Sequence, residues 1–309
     1  MIVKKKINKN ESLIYLKKVN KFLVVGNENL KLIEAYSNKS ISDFKIYLKN
    51  NFPENAKYIE KEINKLFTVE RKSIDNHKIK FKKPKKIFEF NFKIENSSYS
   101  IQYNDGKIIS AVLGLLNHLK CDSKSLSEKI YVYSTDKYCL LKLNNSRLVF
   151  KSEESHILSG RIISHLTSNL HQIKYKSWTG FLHGTTISKE DKGVIIMGKS
   201  GSGKTLSSSI LLKNGFDLVC DDMSPLTGEG KIGHFPNAMS VKPSGYKKIK
   251  QLLDNSFHVC ETTGPKGPTK YIYPKNNVPK KKLIPCQKII KISFKKNSNI
   301  KISKIENKD

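Results

Sequence analysis

One octapeptide constrains this chain more than any other stretch: Gly198-Lys199-Ser200-Gly201-Ser202-Gly203-Lys204-Thr205, a match to G-x-x-x-x-G-K-[ST]. Its flanks agree with the pattern. Residues 193–197 (GVIIM) are apolar and β-rich and read as a buried strand. Residues 206–214 read as a helix, and Gly215 stands where a helix stop is expected. Strand, glycine loop and helix start are the three parts of a phosphate cradle. Glycines let backbone N–H groups turn onto phosphate oxygens, and the helix start adds partial positive charge. In such a cradle Lys204 is expected at the β- and γ-phosphates and Thr205 on Mg²⁺. Ser200 and Ser202 are expected to serve through their backbone more than their hydroxyls.

A second apolar strand, residues 216–220 (FDLVC), ends on Asp221 and Asp222. In a parallel sheet joined by a crossover helix, the two strands run the same way and their C-terminal ends lie side by side. The carboxylates are therefore expected at the edge that carries the glycine loop. One can hold Mg²⁺ and the other can accept the proton of an attacking hydroxyl. Alone, such a pair reads as a solvated turn; one helix after a glycine loop, it reads as part of a phosphoryl-transfer site.

Composition narrows the class. The chain has 309 residues, enough for one large core or two modest ones. Its net charge of +30 is carried almost wholly by lysine; Arg71, Arg147 and Arg161 are the only arginines. Readers of nucleic acid lean on the planar guanidinium fork, so the charge does not favour nucleic acid as a partner, although anionic substrates are attracted at low salt. The longest apolar run, 111–119, is too short to span a bilayer, and no apolar segment follows the basic N-terminus as in a signal peptide. Five scattered cysteines with no CxxC pair argue against a zinc site or a disulfide framework and fit a reducing, cytoplasmic setting.

Three regions separate along the chain. Residues 1–75 hold one apolar run (22–25) and three helical patterns (28–37, 42–50 and 54–67), the reading of a small winged-helix-like unit. The Lys/Pro segment 76–86 reads as a linker. Residues 87–309 form the third region. Within it, 87–158 is a strand-rich lead-in: Phe88, Phe90 and Phe92 alternate with polar residues, Asn104-Asp105-Gly106 marks a turn, a helix is expected over 110–119, and strands follow near 130–133, 138–143 and 148–150. From about 159 the pattern is α/β. A helix covers 155–170, an element ends at His183-Gly184, and a polar turn leads into the strand before the glycine loop.

Taken together, His183-Gly184, the strand at 194–197, GKSGSGKT, Lys213-Asn214-Gly215 and Leu218-Val219-Cys220-Asp221-Asp222 resemble the core of the HPr kinase/phosphorylase-like serine kinases, in the same order. The resemblance is strongest over 180–225 and continues weakly through His234-Phe235-Pro236 to Val241-Lys242-Pro243. Residues 1–75 resemble the small PqqD-like peptide-recognition domains. The resemblance implies an α/β fold with a P-loop kinase core of the HPr kinase/PEP carboxykinase type. It implies ATP and Mg²⁺ bound by residues 198–205, Asp221 as base on a serine hydroxyl, Asp222 as the metal-side carboxylate, and His183 near the transferred phosphate. The acceptor it implies is a peptide or small protein, and it leaves a homo-oligomer open. For Lys242 a phosphate contact is one reading, and a solvated surface role is the reading favoured in so lysine-rich a chain. The glycine-rich acidic signature of the bifunctional enzymes is missing, and residues 226–275 hold no arginine, which argues against phosphorylase activity. A nucleotide-dependent peptide-binding module without transfer activity is the alternative reading.

Overall fold

A computed structural model of the chain describes residues 2–16, 21–67, 84–123, 125–144, 146–253, 255–264 and 267–295, with a few isolated positions besides. The chain divides into two compact units, Met1–Ser73 with Asn297–Asp309, and Ile74–Lys296. Most of the expected linker, 76–86, lies outside the described residues.

In the first unit, β1 (Ile2–Lys6), β2 (Glu11–Leu16) and β3 (Lys21–Gly26) form an antiparallel sheet in that order, followed by helices α1 (Asn27–Asn38), α2 (Ile41–Asn51) and α3 (Ala56–Phe67). The three helices lie close to their expected ranges, but the single expected strand is a three-stranded sheet. β2 carries a period-2 pattern that buries Ser12, Ile14 and Leu16. Ile14 and Leu16 pack with Ile33 of α1, while Phe44, Leu48 and Ile63 make a second cluster between α2 and α3. Ser40 caps α2, its Oγ accepting the Asp43 N–H at 3.1 Å.

The second unit is mixed α/β. It opens with β4 (Phe88–Ile94) and β5 (Ser97–Tyr103), a hairpin, then α4 (Gly106–Leu116), then the meander β6 (Glu128–Ser134), β7 (Tyr138–Leu143) and β8 (Ser146–Lys151). β5 and β6 are parallel, so α4 is their crossover, and the five strands form one sheet in chain order. Asp105 is not in a hairpin turn as expected. It is the N-cap of α4, its Oδ1 accepting the Lys107 N–H at 2.8 Å, so the helix begins four residues before the expected 110.

Next come α5 (Ser155–His171), β9 (Gly180–Leu182), β10 (Gly184–Lys189), β11 (Lys192–Met197), α6 (Lys204–Lys213), β12 (Asp217–Cys220), β13 (Ser224–Leu226) and β14 (Lys231–Gly233). The chain finishes this unit with β15 (Met239–Val241), α7 (Pro243–Ile249), the hairpin β16 (Phe257–Gly264) and β17 (Gly267–Pro274), and β18 (Leu283–Lys291). Seven strands form a second sheet in the order β12-β10-β11-β18-β14-β13-β9, and β15-β17-β16 form a third. β18 ties the second sheet together: Leu283–Pro285 pair antiparallel with β14, and Cys286–Lys291 run parallel to β11. One hydrophobic cluster runs through the whole unit, from Phe90 and Ile101 through Leu158 and Ile195 to Ile272 and Ile284. Among the described residues no helix is long and apolar enough to cross a membrane.

Two sequence expectations change here. The polar turn after Gly184 is a fully paired strand, β10, and the turn itself is only Glu190-Asp191, both at positive φ (50° and 60°) as a two-residue hairpin requires. The strands entering and leaving the glycine-loop helix are also not neighbours, because β10 lies between β11 and β12 and runs antiparallel to both. β11 and β12 are thereby parallel to each other, one strand apart.

Candidate functional site

The site is built where β11, β10 and β12 share an edge. Gly184 at the start of β10 faces Met197 at the end of β11, and Thr186 faces Cys220 at the end of β12. The glycine loop follows Met197 and the two aspartates follow Cys220, so both leave the same edge, about 10 Å apart by two strand spacings. His183 precedes β10 and therefore enters that edge between them. The expected shared edge is thus reached by a different topology, with His183 as its middle member.

The loop has the backbone its glycines allow. Gly201 and Gly203 sit at φ +85° and +97°, where a side chain would be strained, and open space lies where a Cβ would be. Gly203 precedes α6, whose first two residues are Lys204 and Thr205. The Lys204 ammonium donates to the carbonyls of Gly198 at 2.7 Å and Lys199 at 3.4 Å. Lys199, Ser200 and Gly201 are exposed, and Lys204 and Thr205 half-buried. The Ser202 hydroxyl is buried without a hydrogen-bond partner. A glycine loop at a helix start, with an orphaned hydroxyl and a lysine bound only to carbonyls, has the donor types of an anion cradle.

The two aspartates differ sharply. Asp221 is 5 % exposed. Its Oδ1 accepts from the Thr185 hydroxyl and its Oδ2 from the Ser240 N–H at 3.2 Å. Asn237 grips its backbone, accepting the Asp221 N–H at 3.1 Å and donating to its carbonyl at 2.6 Å. Burial pushes the Asp221 carboxyl up to about 6; the Thr185 hydrogen bond works against that rise and the neighbouring Asp222 charge adds to it. Asp222 lies at φ +63°, which turns the chain back toward β13 and leaves its carboxylate exposed. There the His183 Nδ1 lies 3.0 Å from Asp222 Oδ1 and 3.1 Å from the Asp222 carbonyl. Both partners accept, so Nδ1 carries a proton.

No protein-family model matches the chain, and no curated protein matches it.

Three residues belong to it that sequence reasoning missed. Thr185 and Ser240 hold the Asp221 carboxylate, and Asn237 fixes the backbone beneath it. Thr185 lies in the stretch expected to be a polar turn, and Asn237 and Ser240 lie between the weakly matching residues 234–236 and 241–243. Lys242, expected to be a solvated surface residue, donates to the Ser200 hydroxyl in the loop at 3.0 Å.

Proposed function

We propose that the chain is an ATP-dependent phosphotransferase that moves a terminal phosphate to a hydroxyl, with serine of a peptide or small protein as acceptor, on a P-loop kinase core of the HPr kinase/PEP carboxykinase type. The observation that carries the reading is the shared edge, with the glycine loop on one side, the Asp221-Asp222 pair on the other and His183 between. In this reading the N–H groups of 198–203 and the Lys204 ammonium bind the phosphates, Lys204 leaving the Gly198 carbonyl to do so. Thr205 and the exposed Asp222 are the residues to hold Mg²⁺, which, bound there, neutralises phosphate charge. Among the described residues there is no cluster of three or more His, Cys, Asp or Glu able to hold a metal. Mg²⁺ does not need one, because it takes one or two protein oxygens and fills its shell with water and phosphate.

Asp221 is the base in this scheme. A carboxyl raised to about 6 is ionised at neutral pH and still basic enough to take a hydroxyl proton. Each of its oxygens accepts one hydrogen bond and keeps a second lone pair. The acceptor hydroxyl would lose its proton to Asp221 as its oxygen bonds to phosphorus and ADP departs. His183, oriented by Asp222, would present Nε2 to the acceptor or its hydroxyl proton.

The deep burial of Asp221 also favours a second reading, a nucleotide-dependent binding module that transfers nothing. Transfer of labelled γ-phosphate from Mg-ATP to arrayed serine peptides separates the two. Wild type should label a subset, while Lys204→Ala and Asp221→Asn should fall at least about a hundredfold. Tight Mg-ATP binding with no labelled peptide supports the binding module. An Asp221→Asn variant as fast as wild type moves the base to His183.

A further inference from the structure

Lys242 stands at the junction of β15 and α7, as the N-cap of α7. Two residues earlier, the Ser240 N–H holds the Asp221 carboxylate. This short segment therefore touches both halves of the candidate site, the buried acid through Ser240 and the glycine loop through Lys242. The Lys242 side chain is exposed, and among the described residues it makes no ion pair. Its hydrogen-bond partner is a hydroxyl, Ser200 Oγ at 3.0 Å. An ammonium group gains far more from an anionic oxygen than from a neutral hydroxyl. It comes from the segment that holds Asp221, whereas Lys204 approaches the loop from α6.

We infer that Lys242 is the second cation of the phosphate site, reaching the terminal phosphate of a nucleoside triphosphate from the aspartate side. The inference rests on the nucleotide-binding reading above and deepens it. Lys204, at the helix start, serves the phosphates common to di- and triphosphate. Lys242, two residues from the Ser240 that holds Asp221, would serve the last one. Lys242 thereby makes the site selective for triphosphate over diphosphate. Its contact with Ser200 keeps the long side chain beside the loop and lowers the entropy lost on engaging a ligand.

The test is the affinity of Mg-ADP and of Mg with a non-hydrolysable ATP analogue, by calorimetry, for wild type, Lys242→Met, Lys242→Arg and Lys204→Ala. Lys242→Met should weaken the triphosphate analogue by about tenfold to a hundredfold, the range for one charge-assisted contact, and leave ADP within about twofold. Lys242→Arg should restore most of the preference. Equal weakening of both ligands by Lys242→Met, or no effect on either, overturns the inference while Lys204→Ala still abolishes binding. Failure of wild type to bind either ligand overturns the nucleotide reading and the inference with it.

Discussion

Asp221 keeps a carboxyl group out of water, and that has a thermodynamic signature independent of catalysis. Burial lifts the carboxyl pKa from the ordinary aspartate value near 3.8 to about 6. Between about pH 4 and pH 6 the folded chain therefore holds a proton that the unfolded chain has released. The resulting stabilisation is complete below the unfolded value and is lost as pH rises through the folded one. Two pKa units correspond to about 3 kcal/mol. Asp221→Asn cannot titrate. Chemical denaturation across pH 4 to 7 should show wild type losing about 3 kcal/mol relative to the variant, with the change complete by about pH 7. A constant difference across that range would mean that the carboxylate is solvated after all. Nothing in the local sequence distinguishes Asp221 from Asp222. The distinction comes from Thr185 and Ser240, which lie 36 and 19 residues away along the chain.

At the scale of elements, legibility follows where the physical cause resides. The glycine loop is readable because its conformation is written in its own residues: Gly201 and Gly203 occupy positive φ, and the apolar strand and helix pattern adjoin them. β10 is not readable, because Thr185, Thr186 and Ser188 look like solvent-facing turn residues. They are buried since their partners arrive from elsewhere: Asp221 for Thr185, and the Ser224 hydroxyl, at 2.7 Å, for Thr186. Asn104-Asp105-Gly106 shows the same ambiguity in miniature, since Asp suits a turn and a helix cap equally. The cap makes its own forecast. Asp105→Ala should cost about 1 kcal/mol, read as a lower denaturation midpoint with unchanged slope. In the last turn of the same helix, a Cβ at Gly114 would meet the Tyr271 ring at 2.2 Å. Gly114→Ala should therefore destabilise by about 1–3 kcal/mol despite alanine's better helix propensity. A neutral or stabilising Gly114→Ala would show that Tyr271 is free to move aside.

At the scale of the molecule, the strand-rich stretch forms a sheet of its own, β4 to β8, yet one cluster joins its Ile101 and Leu141 to Ile195 and Ile272. Pairings such as β11 with β18, about ninety residues apart, make that core and leave no local trace. Charge, by contrast, is legible from composition alone. Lys and Arg number 57 against 27 Asp and Glu, so acidic partners cannot match the cations. Many of the pairs that do form, such as Lys4 with Glu34 and Lys281 with Asp191, are exposed and worth little. A field of this size draws any polyanion at low salt, and it must be separated from the glycine-loop site before anionic binding is taken as function. The two differ in salt dependence. Binding to duplex DNA through 6–10 phosphate contacts should fall by about 10³–10⁵ between 50 and 200 mM salt. Binding of a Mg-triphosphate analogue is expected to change by less than about tenfold, because the loop's N–H donors do not release counterions. Lys204→Ala should abolish the second and leave the first untouched. If instead DNA binding persists at 200 mM salt with a sequence preference, the lysines form a dedicated nucleic-acid surface, and a charge without arginine forks will have proved sufficient to read bases.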